Sequence, residues 1–448
     1  MKTVFLNRYP LGNEKRSWRQ DNFILSVSHP GSIVSGQKVI KAMVKEGKTL
    51  DDIENKDEIE LTMRRSVKTA KECGFNLLSL CWADYIQSRT AVEMCDDIGV
   101  DILYQNITEW GGMQTAVSVE CTDDKLREAA EIAKNHRHIL GYFSWDEPVG
   151  EEERKTARYQ MDFVEKLTPD KLVYTVAVPS YNKYYTWENG KYPEYIRDFV
   201  KDLEPSILDF DYYPFYSYKM CESKLDDCTL WCDLGCVSKC ANEHGIPFWY
   251  YYQGEDFHRI GHFSFPMIRF SAYSGVLYGA KGLSSYREST AVIAEDGGKG
   301  MYFDEQKKLL SELANLGSTL MALNFKRVIH DSAVLSIPYI KGLACSIEES
   351  EHLTGAMPNR ICASEFEDGY GNKYLFVLNR NYTWDQKFSL QFKKNYRVYE
   401  VSKQDGFQKL FKDSADTLEL TLEAGDAMLF RLQDSSEEAY LIDYVLKK

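Results

Sequence analysis

Two acids stand side by side in Trp145-Asp146-Glu147-Pro148, at the end of the apolar run HILGYFSWDEP (138–148). A carboxyl that loses water beside a second carboxyl keeps its proton to higher pH, because burial and a like charge both disfavour ionisation. Glu147, next to Trp145 and Asp146, is expected to hold a proton near neutral pH and to act as a general acid. Asp146 is expected to stay ionised, or to orient a reacting group. A proton-holding acid and an ionised carboxylate flanking one bond are what glycoside hydrolysis requires. Asp, Glu and Pro also suit the first turn of a helix. That plainer reading accounts for the acids, but not for the apolar run and tryptophan that deliver them.

The elements that position these acids follow from hydrophobic pattern. From about residue 20 to 325, short apolar runs alternate with stretches of helical period. The runs are FILSVSHP (23–30), FNLLSLCW (75–82), VDILYQN (100–106), HILGYFSWDEP (138–148), KLVYTVAVPSY (171–181), ILDFDYYPF (207–215), IPFWYYYQGED (246–256) and AKGLSSYRES (280–289). Near-continuous apolar strands separated by helices predict a parallel sheet covered by helices. Eight such units in about 300 residues fit a closed (β/α)₈ barrel. Glycines before several strands (Gly74, Gly99, Gly245, Gly279) fit helix C-caps. No GxGxxG follows the first strand, which disfavours a dinucleotide-binding sheet. After about residue 326 the runs become short and alternating, with a hairpin expected around Asp368–Asn372 and a closing strand at Gly425–Leu432. The expected architecture is a barrel over residues 1–325 and a small antiparallel β-sandwich over 326–448.

A barrel of this kind places its chemistry at the C-terminal ends of its strands. Those ends carry His29; Trp82 and Asp84; Gln105 and Asn106; Asp146 and Glu147; Ser180 and Tyr181; Asp211, Tyr212 and Tyr213; Gln253 and Glu255; Arg287 and Glu288. Acids, amides and aromatic rings on one rim suit an uncharged, polyhydroxylated ligand. His29, Trp82, Asn106, Trp145, Asp211, Tyr212, Gln253 and Arg287 are the expected substrate contacts.

The fourth run resembles the end of strand 4 in the clan A glycoside hydrolases, (β/α)₈ enzymes whose acid/base lies in an Asn-Glu-Pro motif there. Glu147 takes the acid/base place in that resemblance and Pro148 matches. Asp146 stands where the family has an Asn that contacts the substrate's 2-hydroxyl. The barrel-plus-sandwich layout resembles bacterial glycosidases of this kind, which often carry a closing GDxxLF-like strand, as in Gly425 to Phe430. The resemblance implies a nucleophile at the end of strand 7 and retention of configuration. Gln253 cannot be that nucleophile. Glu255 follows two positions on with the same side-chain parity, provided the strand extends so far; Glu288 is a further candidate. The adjacent Asp-Glu pair also resembles hexosaminidases that use the substrate's own acetamido group, with Asp146 orienting it. A catalytically inactive carbohydrate-binding barrel is the alternative from another class.

Composition narrows the partners. The 448 residues carry a net charge of −14, which disfavours nucleic acid and anionic membrane. No apolar run approaches the roughly 20 residues of a membrane span, and no signal peptide is visible. The 11 cysteines, an odd number, fit reduced thiols in a cytoplasm. Cys228, Cys232, Cys236 and Cys240 recur every four residues, with Cys221 upstream. A drift of about 40° per step prevents the four from closing one tetrahedron, so they are expected to pack in the core. Neither a metal nor a cofactor is expected. The expected partner is a carbohydrate.

Overall fold

In the computed structural model the described residues are 1–28, 56–79, 85–104, 122–181, 184–215, 229–256, 263–286 and 291–448. An N-terminal strand β1 (Lys2–Arg8) precedes the barrel. The barrel units are β2 (Ile24–Ser28) and α1 (Lys56–Cys73), β3 (Leu77–Ser79) and α2 (Tyr85–Ile98), β4 (Asp101–Tyr104) and α3 (Asp123–Asn135), and β5 (Ile139–Asp146) and α4 (Glu151–Leu167). They continue with β6 (Leu172–Ala177) and α5 (Tyr192–Leu203), β7 (Leu208–Asp211) and α6 (Leu230–His244), β8 (Phe248–Gln253) and α7 (Phe265–Leu277), and β9 (Gly282–Tyr286) and α8 (Phe303–Ala322). Strands β2 to β9 pair in parallel in sequence order and close into a barrel. Each falls within one of the eight apolar runs, and Gly74, Gly99, Gly245 and Gly279 all take the positive φ that a helix C-cap favours.

Strand alternation sorts the side chains. Leu77, Leu103, Phe143, Leu172, Tyr174, Val176, Trp249 and Tyr251 form one cluster inside the bore. Val27, Leu78, Ile102, Tyr142, Val173, Phe210, Tyr250 and Tyr252 belong to the larger cluster under the helices. The bore is unusually polar for a core of this type. The hydroxyls of Ser79, Tyr174 and Tyr251 form a closed triangle of contacts at 3.2, 3.0 and 2.8 Å. Trp249 fits only because its neighbour in register is Gly282: a Cβ there would lie 2.6 Å from the indole ring.

Beyond the barrel come β10 (Leu323–Ile329), β11 (Leu353–Thr354), β12 (Ile361–Asp368), β13 (Lys373–Asn379), β14 (Gln386–Val401), β15 (Gln408–Leu422), β16 (Ala427–Asp434) and β17 (Tyr440–Leu446). Seven of them form one antiparallel sheet in the order β10-β12-β13-β16-β14-β11, with β15 paired to β14. The expected hairpin joins β12 to β13; Asp368 Oδ1 accepts the amides of Tyr370 and Asn372, and Gly371 supplies a positive φ. The strand expected to close the sandwich, β16, instead lies centrally between β13 and β14. The C-terminal segment is a strand, β17, paired in parallel with β1. This ribbon packs on the sheet through Tyr444, whose hydroxyl is 2.7 Å from that of Tyr374.

Barrel and sheet share one core. Phe366, Tyr374, Phe376, Leu378, Val401 and Leu429 of the sheet belong to the same buried cluster as the helix-facing barrel residues. Among the described residues no helix is long and apolar enough to cross a membrane.

Candidate active site

Asp146 ends β5, and a bulge decides where it points. Phe143 pairs with Tyr174 and Trp145 with Thr175, so Ser144 is an extra residue in the strand. Phe143 faces the bore. The Ser144 hydroxyl turns outward, 3.1 Å from the Gln160 side chain of α4, and the Trp145 ring joins the helix-side cluster. The next residue, Asp146, pairs with the bore residue Val176 and so faces inward. Bulges beside functional sites commonly re-aim a side chain in this way. Glu147 then takes a left-handed conformation, φ 53°. A non-glycine residue held there costs energy and persists only where its surroundings enforce it. Glu153 caps the turn that follows, accepting the amides of Val149 and Gly150 at 2.7 and 2.9 Å.

Two strands along the rim, β7 supplies Asp211, which pairs in register with the bore residue Tyr251. It is 8% exposed. The Tyr213 hydroxyl bonds its carboxylate, while its Oδ1 has no hydrogen-bond partner among the described residues. One pleat deeper, Asp209 is fully buried and neither of its carboxyl oxygens has a partner among the described residues.

These acids hold protons unusually well. Burial, then the charges of Asp211 and Asp146, push Glu147 well above the usual carboxylate range. Burial pushes Asp146 up to about 6. Burial, with the charge of Asp146 acting against the Tyr213 hydrogen bond, pushes Asp211 up to about 7. Burial and the Asp211 charge raise Asp209 as well. Such a set titrates jointly. Burial and like charge favour a shared proton in this set, and both Glu147 and Asp209 are raised well above the usual carboxylate range.

The other expected residues divide into groups. Glu255 is half-buried and lies two residues past the end of β8, so the strand extension that would fix its parity does not occur. Gln253 is fully buried and its amide serves the protein: Oε1 accepts from the Phe215 amide at 2.8 Å, and Nε2 donates to the Glu255 carbonyl at 2.9 Å. Tyr212 is 1% exposed on the helix side, with its hydroxyl 3.0 Å from Thr229 Oγ1. Strand parity explains this: Asp211 and Tyr213 turn into the bore and Tyr212 away from it. Trp145 is likewise turned out. His29, Trp82, Asp84, Gln105, Asn106, Arg287 and Glu288 lie outside the described residues, as do Cys221 and Cys228.

Sequence reasoning passed over Asp233. It sits within the apolar start of α6, Leu-Trp-Cys-Asp-Leu-Gly-Cys, fully buried. An acid in such a run was the available signal. Cys232, Cys236 and Cys240 of the same helix are buried; burial raises the Cys236 thiol and pushes Cys240 up to about 11, as expected of core packing rather than reactive thiolates.

No family model and no curated protein matches the chain. Among solved structures it is similar to a GH27 β-L-arabinopyranosidase from Geobacillus stearothermophilus, at 9% identity and TM-score 0.47, over 85% of this chain and 94% of that one. It is also similar to an endo-β1,6-glucanase (10% identity, TM-score 0.46, 96% and 95% covered). A third is a GH51 arabinofuranosidase from Xanthomonas axonopodis pv. citri (9% identity, TM-score 0.45, 97% and 100% covered). Likeness at this level carries no inference about activity.

Proposed function

We propose that this chain is a glycoside hydrolase acting on an oligo- or polysaccharide, with Glu147 as general acid/base. The observation that carries the reading is the grouping of Glu147, Asp146 and Asp211 at the C-terminal mouth of the barrel, with Glu147 raised by burial and by both neighbours. A carboxylic acid that stays protonated at neutral pH can donate its proton to a glycosidic oxygen as the bond breaks. The charge that then develops at the anomeric carbon is of the sign that nearby carboxylates stabilise. Glu255 attacks that carbon, water then hydrolyses the glycosyl-enzyme with Glu147 acting as base, and configuration is retained.

One observation favours a second route. The bulge at Ser144 turns Asp146 into the bore beside Glu147, while β8 stops short of Glu255. In a substrate-assisted route Asp146 orients an acetamido group of the substrate and no enzymic nucleophile is needed. The two routes are separated by Glu255→Gln and Asp146→Asn. Loss of turnover only in the former supports the covalent route; loss only in the latter, with activity confined to N-acetylated sugars, supports assistance.

A panel of aryl glycosides and natural oligosaccharides, with the anomer of the first product read by NMR, tests the reading as a whole. Turnover of one panel member by the wild-type chain, abolished in Glu147→Gln with binding preserved, is the expected outcome. Turnover within about tenfold of wild type in that variant is far above the ~10²–10⁴-fold loss expected of a general acid, and contradicts it. Binding without turnover in the wild-type chain supports the carbohydrate-binding alternative.

A further inference from the structure

Around the acid cluster, the described aromatic rings are mostly sealed away: Trp145 is 6%, Tyr212 1% and Tyr213 7% exposed, whereas Tyr181 is 38% exposed. Tyr181 follows β6, and its charge environment includes both Asp211 and Glu147. Its ring is locked in place. It packs edge-on against Tyr212 with centroids 5.0 Å apart and planes at 74°, and its hydroxyl accepts from the Tyr213 amide at 3.4 Å.

The segment that carries it is held from below by Asp233. Oδ2 of this buried carboxyl accepts the Ser180 amide at 2.8 Å, and Oδ1 accepts the Trp187 indole N–H at 2.6 Å. Ser180 Oγ donates to Thr229 Oγ1 at 2.9 Å, the same oxygen that meets the Tyr212 hydroxyl. A carboxyl buried among neutral donors is costly, and hydrophobic packing would stabilise the helix at least as well. What the acid provides is a fixed position for two N–H groups on the segment after β6.

We propose that Tyr181 is the face against which a sugar ring of the substrate lies beside Glu147, and that Asp233 is the positioning residue that holds it there. The inference rests on the carbohydrate reading above and names a contact within that site. An exposed ring with fixed orientation covers the C–H face of a sugar at little entropic cost. Asp233 positions Tyr181 through the Ser180 amide, and its charge also raises Asp211; the positioning part of its effect should vanish once the Tyr181 ring is gone.

The test is binding, measured by calorimetry on a Glu147→Gln parent with a panel of neutral xylo-, arabino-, gluco- and galacto-oligosaccharides. For the panel member that binds, Tyr181→Ala should weaken binding about tenfold or more, a loss of about 1.4 kcal/mol. Tyr181→Phe should stay within about threefold of the parent, since the stacking face remains. Asp233→Asn should weaken binding, and the Tyr181→Ala/Asp233→Asn pair should be no weaker than Tyr181→Ala alone. Should Asp233→Asn fail to fold, Trp187→Phe removes one of the two donors to Asp233 and takes its place. Binding unchanged in Tyr181→Ala, or additive losses in the pair, overturns the proposal while leaving the hydrolase reading intact. Failure of every oligosaccharide to bind the parent overturns both. Tyr181-dependent binding with no turnover by the wild-type chain upholds the contact and removes the hydrolase reading.

Discussion

Asp211 brings a stability cost that depends on pH. Its folded pKa, about 7, lies above the roughly 3.9 of an unfolded Asp. Between about pH 4 and 7 the folded chain therefore binds more protons at this position than the unfolded chain, and the contribution to stability falls as pH rises through that window. Asp211→Asn removes the buried charge. The variant is expected to be more stable than wild type at pH 8, by on the order of 1–3 kcal/mol in unfolding free energy, with the gain disappearing toward pH 4. A difference independent of pH would contradict the assigned titration. Much at this scale was legible in the sequence: Asp146, Glu147 and Asp211 could be located because each ends an apolar run. Tyr212 and Trp145 were read as facing the ligand and are turned away, the first by strand parity and the second by a bulge. One inserted residue, Ser144, reverses parity, and nothing in the run's composition marks it. Asp233 escaped because it acts from a helix interior, where sequence reading looks for packing.

At the scale of the elements, the pairing of a large residue with none sets the bore. Trp249 lies against Gly282, and its indole N–H donates to Gln20 Oε1 at 3.0 Å. Gly282→Ala places a methyl group in contact with the indole that no rotamer of a packed bore relieves. Overpacking of this kind typically costs about 1–3 kcal/mol, and urea denaturation should register a loss of at least that size. An unchanged midpoint would show that Trp249 moves freely, contrary to a closed bore. The eight strands were readable because parallel strands buried on both faces need continuous apolar runs. The end of β8 was not: IPFWYYYQGED gives no local signal for where pairing stops, and the bond from Gln253 to the Glu255 carbonyl is a feature of the folded turn.

The whole molecule is joined by its core. Gly425, φ 70°, brings the turn before β16 against Pro266 and Phe270 of α7, where a Cβ would sit 2.4 Å from the Pro266 carbonyl oxygen. Arg269 of the same helix donates to the Ala424 carbonyl at 2.6 Å and pairs with Glu423 at 2.8 Å. With one buried cluster running through both parts, calorimetry should record a single cooperative transition, and Gly425→Ala should lower it as a unit. Two resolved transitions, with only one moved by the substitution, would contradict a shared core. The change from helical to alternating pattern near residue 326 was visible in the sequence. The return of β1 to pair with β17 was not, since strands more than 400 residues apart leave no trace in local periodicity.

The central claim is that Glu147 holds a proton at neutral pH. It can be tested without a substrate, by carbon NMR titration of side-chain carboxyls in the glutamate-labelled chain, with Glu147→Gln to assign the signal. Glu147 should titrate clearly above the roughly 4.3 of an ordinary glutamate, and lower in Asp211→Asn than in the parent. A Glu147 signal that titrates in the ordinary range, unmoved by loss of Asp211, would remove the general acid and with it the proposed chemistry.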